Sequence, residues 1–209
     1  MPHPPSQKLE TRERILTSAR HLFNKKGFAE VTIDEIMAEA GLTRGGFYKH
    51  FGTKEALYAE AIAQFSCYGP EAWQRAHVDA SARGPRLARM IVSAYLSKEH
   101  FDDRDGSCPM IGLPSDAARA GAAIKAAYRQ VLERMAAVFE ASLPPGEPSA
   151  RQRALALVAL CVGGMVLSRA IDDPTLAEDL RNAARNHALA AAGWGDRTDG
   201  SAPGPGSLT

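Results

Sequence analysis

Apolar and polar residues alternate most regularly between residues 31 and 57, where they predict two short helices joined by a tight turn. Thr32 is a favourable N-cap, and Glu35 lies at the spacing that completes a capping box with it. Gly41 ends this first helix, because glycine adopts the left-handed conformation of a helix terminus without strain. The helix then presents one apolar face, formed by Ile33, Ile36, Met37 and Ala40.

The helical pattern restarts directly after this turn. Leu42 precedes a second N-cap at Thr43, and Phe47 lies at the spacing of a hydrophobic staple with Leu42. Because only Gly41 and Leu42 separate the first helix from the second cap, the helices must cross steeply and share a small core. This arrangement is typical of a helix-turn-helix, which can place its second helix in a DNA groove.

The flanking segments complete a three-helix head. Upstream, Ile15, Ala19, Leu22 and Phe23 predict an amphipathic helix over residues 8–26 that Gly27 closes. Downstream, Thr53 caps a helix that the pattern carries to about residue 82. The predicted domains are a helix-turn-helix DNA-binding domain at 8–53, a helical ligand-binding and dimerisation domain at 54–193, and a disordered Gly-, Ser- and Pro-rich tail at 194–209.

The rest of the chain also reads as helix, so the predicted fold class is all-α, with about six helices in the body. Glycine, proline and loop residues divide the body, and Asp173 caps its last helix. The predicted segments are 85–101, a short or irregular helix at 108–114, 115–142 with a break near Gly121, 149–171 and 173–193.

Residues 154–168 are almost wholly apolar and predict a helix that is buried on all sides. The stretch is shorter than the roughly 18 residues that a membrane helix requires, and Arg153 and Arg169 flank it closely. A subunit interface would bury it, so we predict a homodimer joined by a four-helix bundle; the alternative is burial within one protomer. The predicted interface residues are Leu157, Leu160, Gly163, Gly164, Leu167, Leu180 and Ala184.

Composition sets limits on the function. The chain has 209 residues, 45% of them hydrophobic and 23% charged, which is ordinary for a soluble globular protein. The net charge of +1 does not indicate a nucleic-acid partner, so that case rests on a local run of bases without acids at Arg44, Lys49, His50 and Lys54. Cysteines at 67, 108 and 161 suit neither a metal site nor a disulfide framework, and they fit a reducing cytoplasm.

The N-terminus lacks an apolar signal core, so we expect a cytoplasmic protein without a membrane anchor. The chain contains no nucleophile elbow, phosphate-binding loop, dinucleotide glycine pattern or zinc-protease helix. We therefore expect no enzyme activity, no metal and no cofactor.

The head resembles the DNA-binding domain of the TetR family of transcriptional regulators. The residues that carry the resemblance are Thr32, Ile36, Ala40, Gly41, Leu42, Thr43, Gly45, Phe47, Tyr48, His50, Phe51, Lys54, Glu55 and Leu57. Met37 departs from the alanine that the family pattern leads us to expect. The resemblance implies a homodimer that binds a pseudopalindromic DNA operator, represses transcription, and releases the DNA when a small-molecule effector enters the body.

Two kinds of DNA contact are expected from the head. Arg44 is the candidate for base readout, because its guanidinium fork matches guanine; a phosphate contact or a solvated side chain is the alternative. Gly45 and Gly46 are costly in a helix, at about 1 kcal/mol each, which suggests close approach of the backbone to DNA or to a neighbouring helix. The residues expected at phosphates are Thr32, Thr43, Tyr48, Lys49, His50 and Lys54, where Thr32 could instead serve only as a cap and Tyr48 could be half-buried core.

The effector site is less defined by the sequence. Aromatic residues and methionines of the body could line an apolar cavity for a neutral or aromatic ligand, or could be ordinary core: Tyr68, Trp73, Met90, Tyr95, Phe101, Met110 and Tyr128. In an alternative, oxidation of Cys108 rather than a ligand drives DNA release, which requires that this thiol be accessible. A helical interaction module without DNA is a further alternative.

Overall fold

The computed structural model describes residues 5–65 and 81–194, and every regular element in those residues is helical. The head contains α1 (Pro5–Glu30), α2 (Ile33–Glu39) and a 3₁₀ helix (Arg44–Lys49). Helix α3 (Lys54–Ala63) packs against α1 and connects the head to the body. The body continues with α4 (Gly84–Tyr95), α5 (Lys98–Asp102), α6 (Pro109–Gly112), α7 (Pro114–Arg119), α8 (Ala122–Glu140), α9 (Ala150–Arg169) and α10 (Pro174–Ala191). The predicted all-α class is therefore confirmed.

The local signals of the head act as expected. Thr32 and Glu35 form a complete capping box at the start of α2, and Gly41 has a positive φ of 66° in the turn. Gly27, with φ of 79°, interrupts α1, although helical residues continue beyond it to Glu30. The regular helix thus ends at Gly27 as predicted, and a second, short helical piece follows the kink.

The second helix of the motif differs from the prediction. Residues Arg44–Lys49 form a 3₁₀ helix, and the Thr43 side chain makes no capping hydrogen bond. Instead, the Gly46 N–H donates to the Thr43 carbonyl at 2.9 Å, an i to i+3 bond that tightens the first turn. Two adjacent glycines have low α-helix propensity, which explains why the tighter geometry can prevail here.

The body divides more finely than predicted. The expected helix at 85–101 breaks at Leu96, because the Ser97 side chain accepts the His100 N–H and starts α5. Gly121 does separate α7 from α8. Trp194 was predicted to begin a disordered tail, but it is buried and packs against Phe139. Residues 195–209 and the expected continuation of α3 through 66–80 lie outside the described residues.

The apolar helix α9 buries only one of its faces within the protomer, so the prediction that a subunit interface covers the rest stays a prediction. It packs against α8 and α10 through one face, while Leu155 and Leu167 on its other face are 39% and 56% exposed. Among the described helices, α9 has the length and mean hydropathy, 1.5, to cross a membrane, but one such helix is weak evidence. Its buried face is that of a core helix in a globular body.

Two of the predicted interface residues lie inside the protomer. Leu157 is 2% exposed, and a Cβ at Gly164 would lie only 2.7 Å from the Ala184 Cβ of α10. Close packing of α9 on α10 therefore explains both residues, so neither offers a surface to a second copy. Leu167 is exposed, and Leu160, Gly163 and Leu180 are half-buried. Ala184 is also half-buried, but its Cβ faces Gly164 within the pair.

Candidate nucleic-acid interface

The 3₁₀ helix has one buried and one exposed face. Phe47 is fully buried and anchors the helix in the head core, where its ring lies 5.9 Å from that of Phe51. Thr43, Arg44, Gly45, Tyr48 and Lys49 are exposed. Tyr48 is 60% exposed and rests edge-on against Phe47 with ring centroids 5.2 Å apart. The Tyr48 hydroxyl is therefore directed by a fixed anchor, and the alternative of a half-buried core tyrosine is wrong.

Arg44 has a protein partner that the sequence reasoning missed. Its guanidinium forms an ion pair with Asp34 of α2, and the two side chains are 61% and 58% exposed. The prediction considered acids only within the second helix, whereas Asp34 approaches from the first. Exposed pairs of this kind contribute about 0–1 kcal/mol. Asp34 can thus hold Arg44 in position and release it to a stronger acceptor.

The two adjacent glycines of the head have different surroundings. A Cβ on Gly46 would lie 3.4 Å from the Met37 Cε, a van der Waals contact with the end of a flexible side chain of α2. A Cβ on Gly45 would meet none of the described atoms within 4 Å. Gly45 also has no positive φ to explain it. Its lack of a side chain is therefore accounted for neither by packing nor by backbone conformation.

Lys54 lies deeper in the head than expected of a phosphate ligand. Its ammonium donates to the Phe28 and Val31 carbonyls, each at 2.8 Å, and lies 4.2 Å from the centre of the Phe28 ring. Two of its three N–H groups are thus used to join α3 to the segment between α1 and α2. A phosphate contact could use only the third.

His50 ends the 3₁₀ helix in a positive environment. Burial lowers the pKa of His50 below its usual 6.5, and the charges of Lys8, Arg12 and Lys49 lower it further. The imidazole Nδ1 is buried without a hydrogen-bond partner. Arg12 is itself compensated, since it forms a bidentate pair with Glu60 and lies over the Phe51 ring. Lys8 at the start of α1 therefore adds to the positive charge around His50 that residues 44–54 supply.

The predicted effector site lies only partly within the described residues, and it stays a prediction. Tyr68 and Trp73 lie outside the described residues. Tyr95 and Met110 are buried, while Met90, Phe101 and Tyr128 are half-buried. The Tyr128 hydroxyl donates to the Met110 carbonyl at 3.3 Å, whereas Phe101 lies under the Arg181 guanidinium. These contacts show what Phe101, Met110 and Tyr128 do within the protomer.

The accessible thiol that the oxidation alternative requires is not present at Cys108. This side chain is fully buried, next to the equally buried Met110. The prediction of exposure was wrong because the short helix α6 packs inward against α1, α8 and α9 rather than forming a surface loop. Cys161 is also buried, and burial raises the pKa of its thiol well above the usual range.

A three-helix head whose second turn presents an exposed basic helix defines a helix-turn-helix protein. Residues 15–61 match the family model of bacterial regulatory proteins of the tetR family. The head of the chain therefore matches the DNA-binding domain of the TetR family of transcriptional regulators.

Curated relatives match about half of this chain. The HTH-type transcriptional regulator YerO of Bacillus subtilis is 38% identical over 96 residues, which are 46% of this chain and 32% of YerO. The HTH-type transcriptional repressor KstR2 of Mycolicibacterium smegmatis is 26% identical over 47% of this chain and 48% of KstR2. The matched part of the chain thus spans half or less of these two curated relatives.

Similarity of fold extends through the body. The crystal structure of a TetR transcriptional regulator from Chloroflexus aurantiacus superposes with a TM-score of 0.68 and 22% identity. The superposition covers 87% of this chain and 96% of that one. The arrangement of head and helical body is therefore shared with a solved member of the family.

Proposed function

We propose that the protein is a cytoplasmic transcriptional regulator that binds a pseudopalindromic DNA operator as a homodimer. The observation that carries the proposal is the exposed face of the 3₁₀ helix, where Gly45 leaves room that the described protein atoms do not use. Arg44, Tyr48 and Lys49 surround this opening with donors and positive charge. A DNA backbone or base edge can approach such a surface closely.

The residues of this surface contact DNA in different ways. Arg44 exchanges Asp34 for a base edge, while Tyr48, Lys49 and His50 donate to phosphates. Thr43 is exposed at the start of the helix without a capping duty, so its hydroxyl is available for DNA. Thr32 keeps its capping box, and its exposed helix end attracts a phosphate. Gly46 and Lys54 support the surface mainly from within the head.

Repression with release by a small, apolar effector is the mode we propose, supported by the family and by the naming of KstR2 as a repressor. The proposed effector site is lined by the aromatic residues and methionines of the body, and thermal-shift screening of neutral aromatic ligands tests it.

A matched pair of arginines tests the DNA proposal. The protein selects its operator from random DNA, and gel shifts then compare Arg44→Ala with Arg129→Ala. Arg129 on α8 also forms an exposed ion pair, with Glu133, but lies in the body. We expect Arg44→Ala to cost about 1–3 kcal/mol at one base-pair position and Arg129→Ala to cost nothing measurable. Equal binding by both variants would contradict base readout by Arg44.

The homodimer is proposed to form through the outer faces of α9 and α10. Leu167 and Leu176 are 56% and 48% exposed there, and Gly163 has no described atom within 4 Å of a Cβ position. The faces of two copies would pair as a four-helix bundle. This surface would bring two 3₁₀ helices to adjacent turns of DNA, about 34–36 Å apart.

Sedimentation of Leu167→Glu tests that interface. A buried, unpaired carboxylate should dissociate the dimer while leaving each protomer folded. Leu9→Glu is the control, because Leu9 is also highly exposed but lies on α1 of the head. A Leu167→Glu protein that remains dimeric at micromolar concentration would place the interface elsewhere.

A further inference from the structure

We propose that Asp116 is a positioning residue through which the body sets the orientation of the helix-turn-helix head, and thereby the half-site spacing that the dimer accepts. The inference rests on the proposed DNA-binding function. Asp116 belongs to the first turn of α7 in the body, and its Oδ2 accepts the backbone N–H of Phe28 at 2.8 Å. A side chain of the body thus holds the backbone of the head directly.

The kink at Gly27 makes this contact possible. With φ of 79° and ψ of 170°, Gly27 leaves helical geometry inside α1, which frees the Phe28 N–H from the helical hydrogen-bond ladder. A Cβ on Gly27 would lie 3.1 Å from the Asp116 Oδ2. The carboxylate therefore sits against the one residue of α1 where the backbone turns toward it. Only a glycine combines this conformation with so close an approach.

Phe28 links α7 to the DNA-binding motif, because it contacts Asp116 on one side and Lys54 on the other. Its carbonyl accepts from Lys54, and its ring lies beneath the same ammonium. Lys54 also holds the Val31 carbonyl, directly before the capping box that begins α2. On its other side the Phe28 ring stacks on Tyr58, with centroids 4.7 Å apart. Phe28 is therefore fixed between Asp116 of the body and Lys54 beside the 3₁₀ helix.

The head is also attached to the body through α3 and Arg134, so we expect Asp116 to affect the orientation of the head rather than its folding. Arg134 of α8 donates to the Ala63 and Phe65 carbonyls at the far end of α3, and α3 packs along α8. This attachment holds the head to the body near one end of α3. Asp116 holds it at a distant point, through Phe28. Asn24 of α1 also donates to the Asp105 and Ser107 carbonyls of the body. Loss of Asp116 therefore leaves a folded head that is held less firmly at the Gly27 end of α1.

The consequence appears only when two heads must bind together. A single head contacts one half-site with its own residues, so a half-site does not depend on Asp116. A full operator requires two heads at a fixed separation, and rigid attachment avoids the entropic cost of fixing them on binding. Asp116→Ala should therefore weaken the full operator about tenfold, leave a half-site unchanged, and flatten the preference among operators of altered spacing.

Three further variants test whether Asp116 positions the head or only stabilises the fold. Asp116→Asn keeps an oxygen acceptor for the Phe28 N–H and should restore the spacing preference. Arg119→Ala removes the ion pair with Asp116 but leaves the bond to Phe28, so it should bind like the wild type. Asp105→Ala removes another carboxylate from the same side of the body and should also have no effect. Weakening of full and half-sites alike by Asp116→Ala, or no weakening, would overturn the proposal.

Amide hydrogen exchange tests the attachment without DNA. Asp116→Ala should raise exchange at Phe28 by about tenfold, Asp116→Asn should restore protection, and the unfolding midpoint should change little. If the exchange effect is found but the wild type selects no operator, the DNA-binding proposal fails while the attachment stands. If Phe28 exchange does not respond to Asp116→Ala, the positioning role is refuted whatever the protein binds.

Discussion

The head and the body each contain a pair of adjacent glycines, and the two pairs are built alike. In the head, Gly46 faces Met37 while Gly45 faces open space; in the body, Gly164 faces Ala184 and Leu96 while Gly163 faces open space. One glycine of each pair lies against a side chain of the same chain. The other does not, and we propose a partner for the surface on which it lies: DNA for Gly45, and a second copy for Gly163.

The difference between the regions lies in how tightly the packed glycine is held. At Gly164 an added Cβ would meet the Ala184 Cβ at 2.7 Å, and that atom is fixed to the backbone of α10. At Gly46 the nearest atom is the end of a flexible methionine side chain, at 3.4 Å. The α9–α10 contact of the body therefore requires a glycine at 164. In the head, the Met37 side chain can shift to accommodate a methyl group at position 46.

The largest effect is expected at Gly164. Gly164→Ala should lower the free energy of unfolding by about 1–3 kcal/mol, because α9 and α10 must move apart. Gly163→Ala in the same helix should instead leave the protomer unchanged or stabilise it by up to about 1 kcal/mol through helix propensity. Urea unfolding of both variants in the Leu167→Glu background separates protomer stability from dimer formation. Equal destabilisation by the two would show that the pair is not asymmetric.

At Gly45, unlike Gly164, a substitution should affect DNA binding and leave stability unchanged. Gly45→Ala should leave the unfolding midpoint within about 0.5 kcal/mol of the wild type, since the added methyl group meets open space. Operator affinity should fall by about tenfold, because the methyl group occupies the proposed approach of DNA. Fluorescence anisotropy with the selected operator measures this, and Gly52→Ala, also in open space, is the control. Unchanged affinity for Gly45→Ala would argue against close approach there.

Thr32 and Thr43 allow folding and DNA binding to be separated within the head. Thr32→Ala removes a side chain that caps α2 and should destabilise the head by about 1 kcal/mol. Thr43 makes no side-chain cap bond, so Thr43→Ala should leave stability unchanged and weaken only DNA binding. Thermal unfolding and anisotropy on both variants provide the readout. Comparable losses of stability would mean that Thr43 caps its helix in solution.

Local signals in the sequence predicted much of the head. The capping box of Thr32 and Glu35 and the turn at Gly41 depend on neighbouring residues, and both are confirmed. The pairing of Arg44 with Asp34 and of Lys54 with the Phe28 carbonyl was missed. Those partners are brought close by the crossing of helices, and sequence spacing does not encode that crossing.

Body packing was harder to predict for a related reason. An almost wholly apolar helix such as α9 carries no periodic signal, so its buried and exposed faces could not be assigned, and Leu157 and Gly164 were placed on the wrong side. Cys108 was expected to be accessible because prolines and a glycine follow it, yet it is fully buried. Turn-forming residues predict irregular backbone, but they do not predict whether that backbone faces solvent.

The smallest effect concerns the acid sensitivity of the head. A hydrogen bond from Lys26, followed by bonds from the Thr32 backbone and side chain, lowers the pKa of Glu35 from 4.5 to about 2. Since the folded protein binds this proton less readily than the unfolded chain, Glu35 contributes stability above about pH 4.5 that is lost as the pH falls toward 2. Glu35→Gln keeps a side chain that can complete the capping box but cannot ionise. Its unfolding midpoint should therefore decline less steeply than that of the wild type across this range.

Glu39→Gln is the matched control, because Glu39 is an exposed carboxylate at the other end of α2. It should follow the wild-type dependence on pH. Glu35 is exposed and solvent screens its ion pair with Lys26, so the difference between the curves should be modest and should shrink in high salt. The body supplies the internal reference: amides of α9 and α10 should lose protection together with global unfolding, while those of α2 lose it earlier in acid. If acid opens both regions in parallel even in the wild type, the head does not unfold locally, and its stability depends on the body more than its caps suggest.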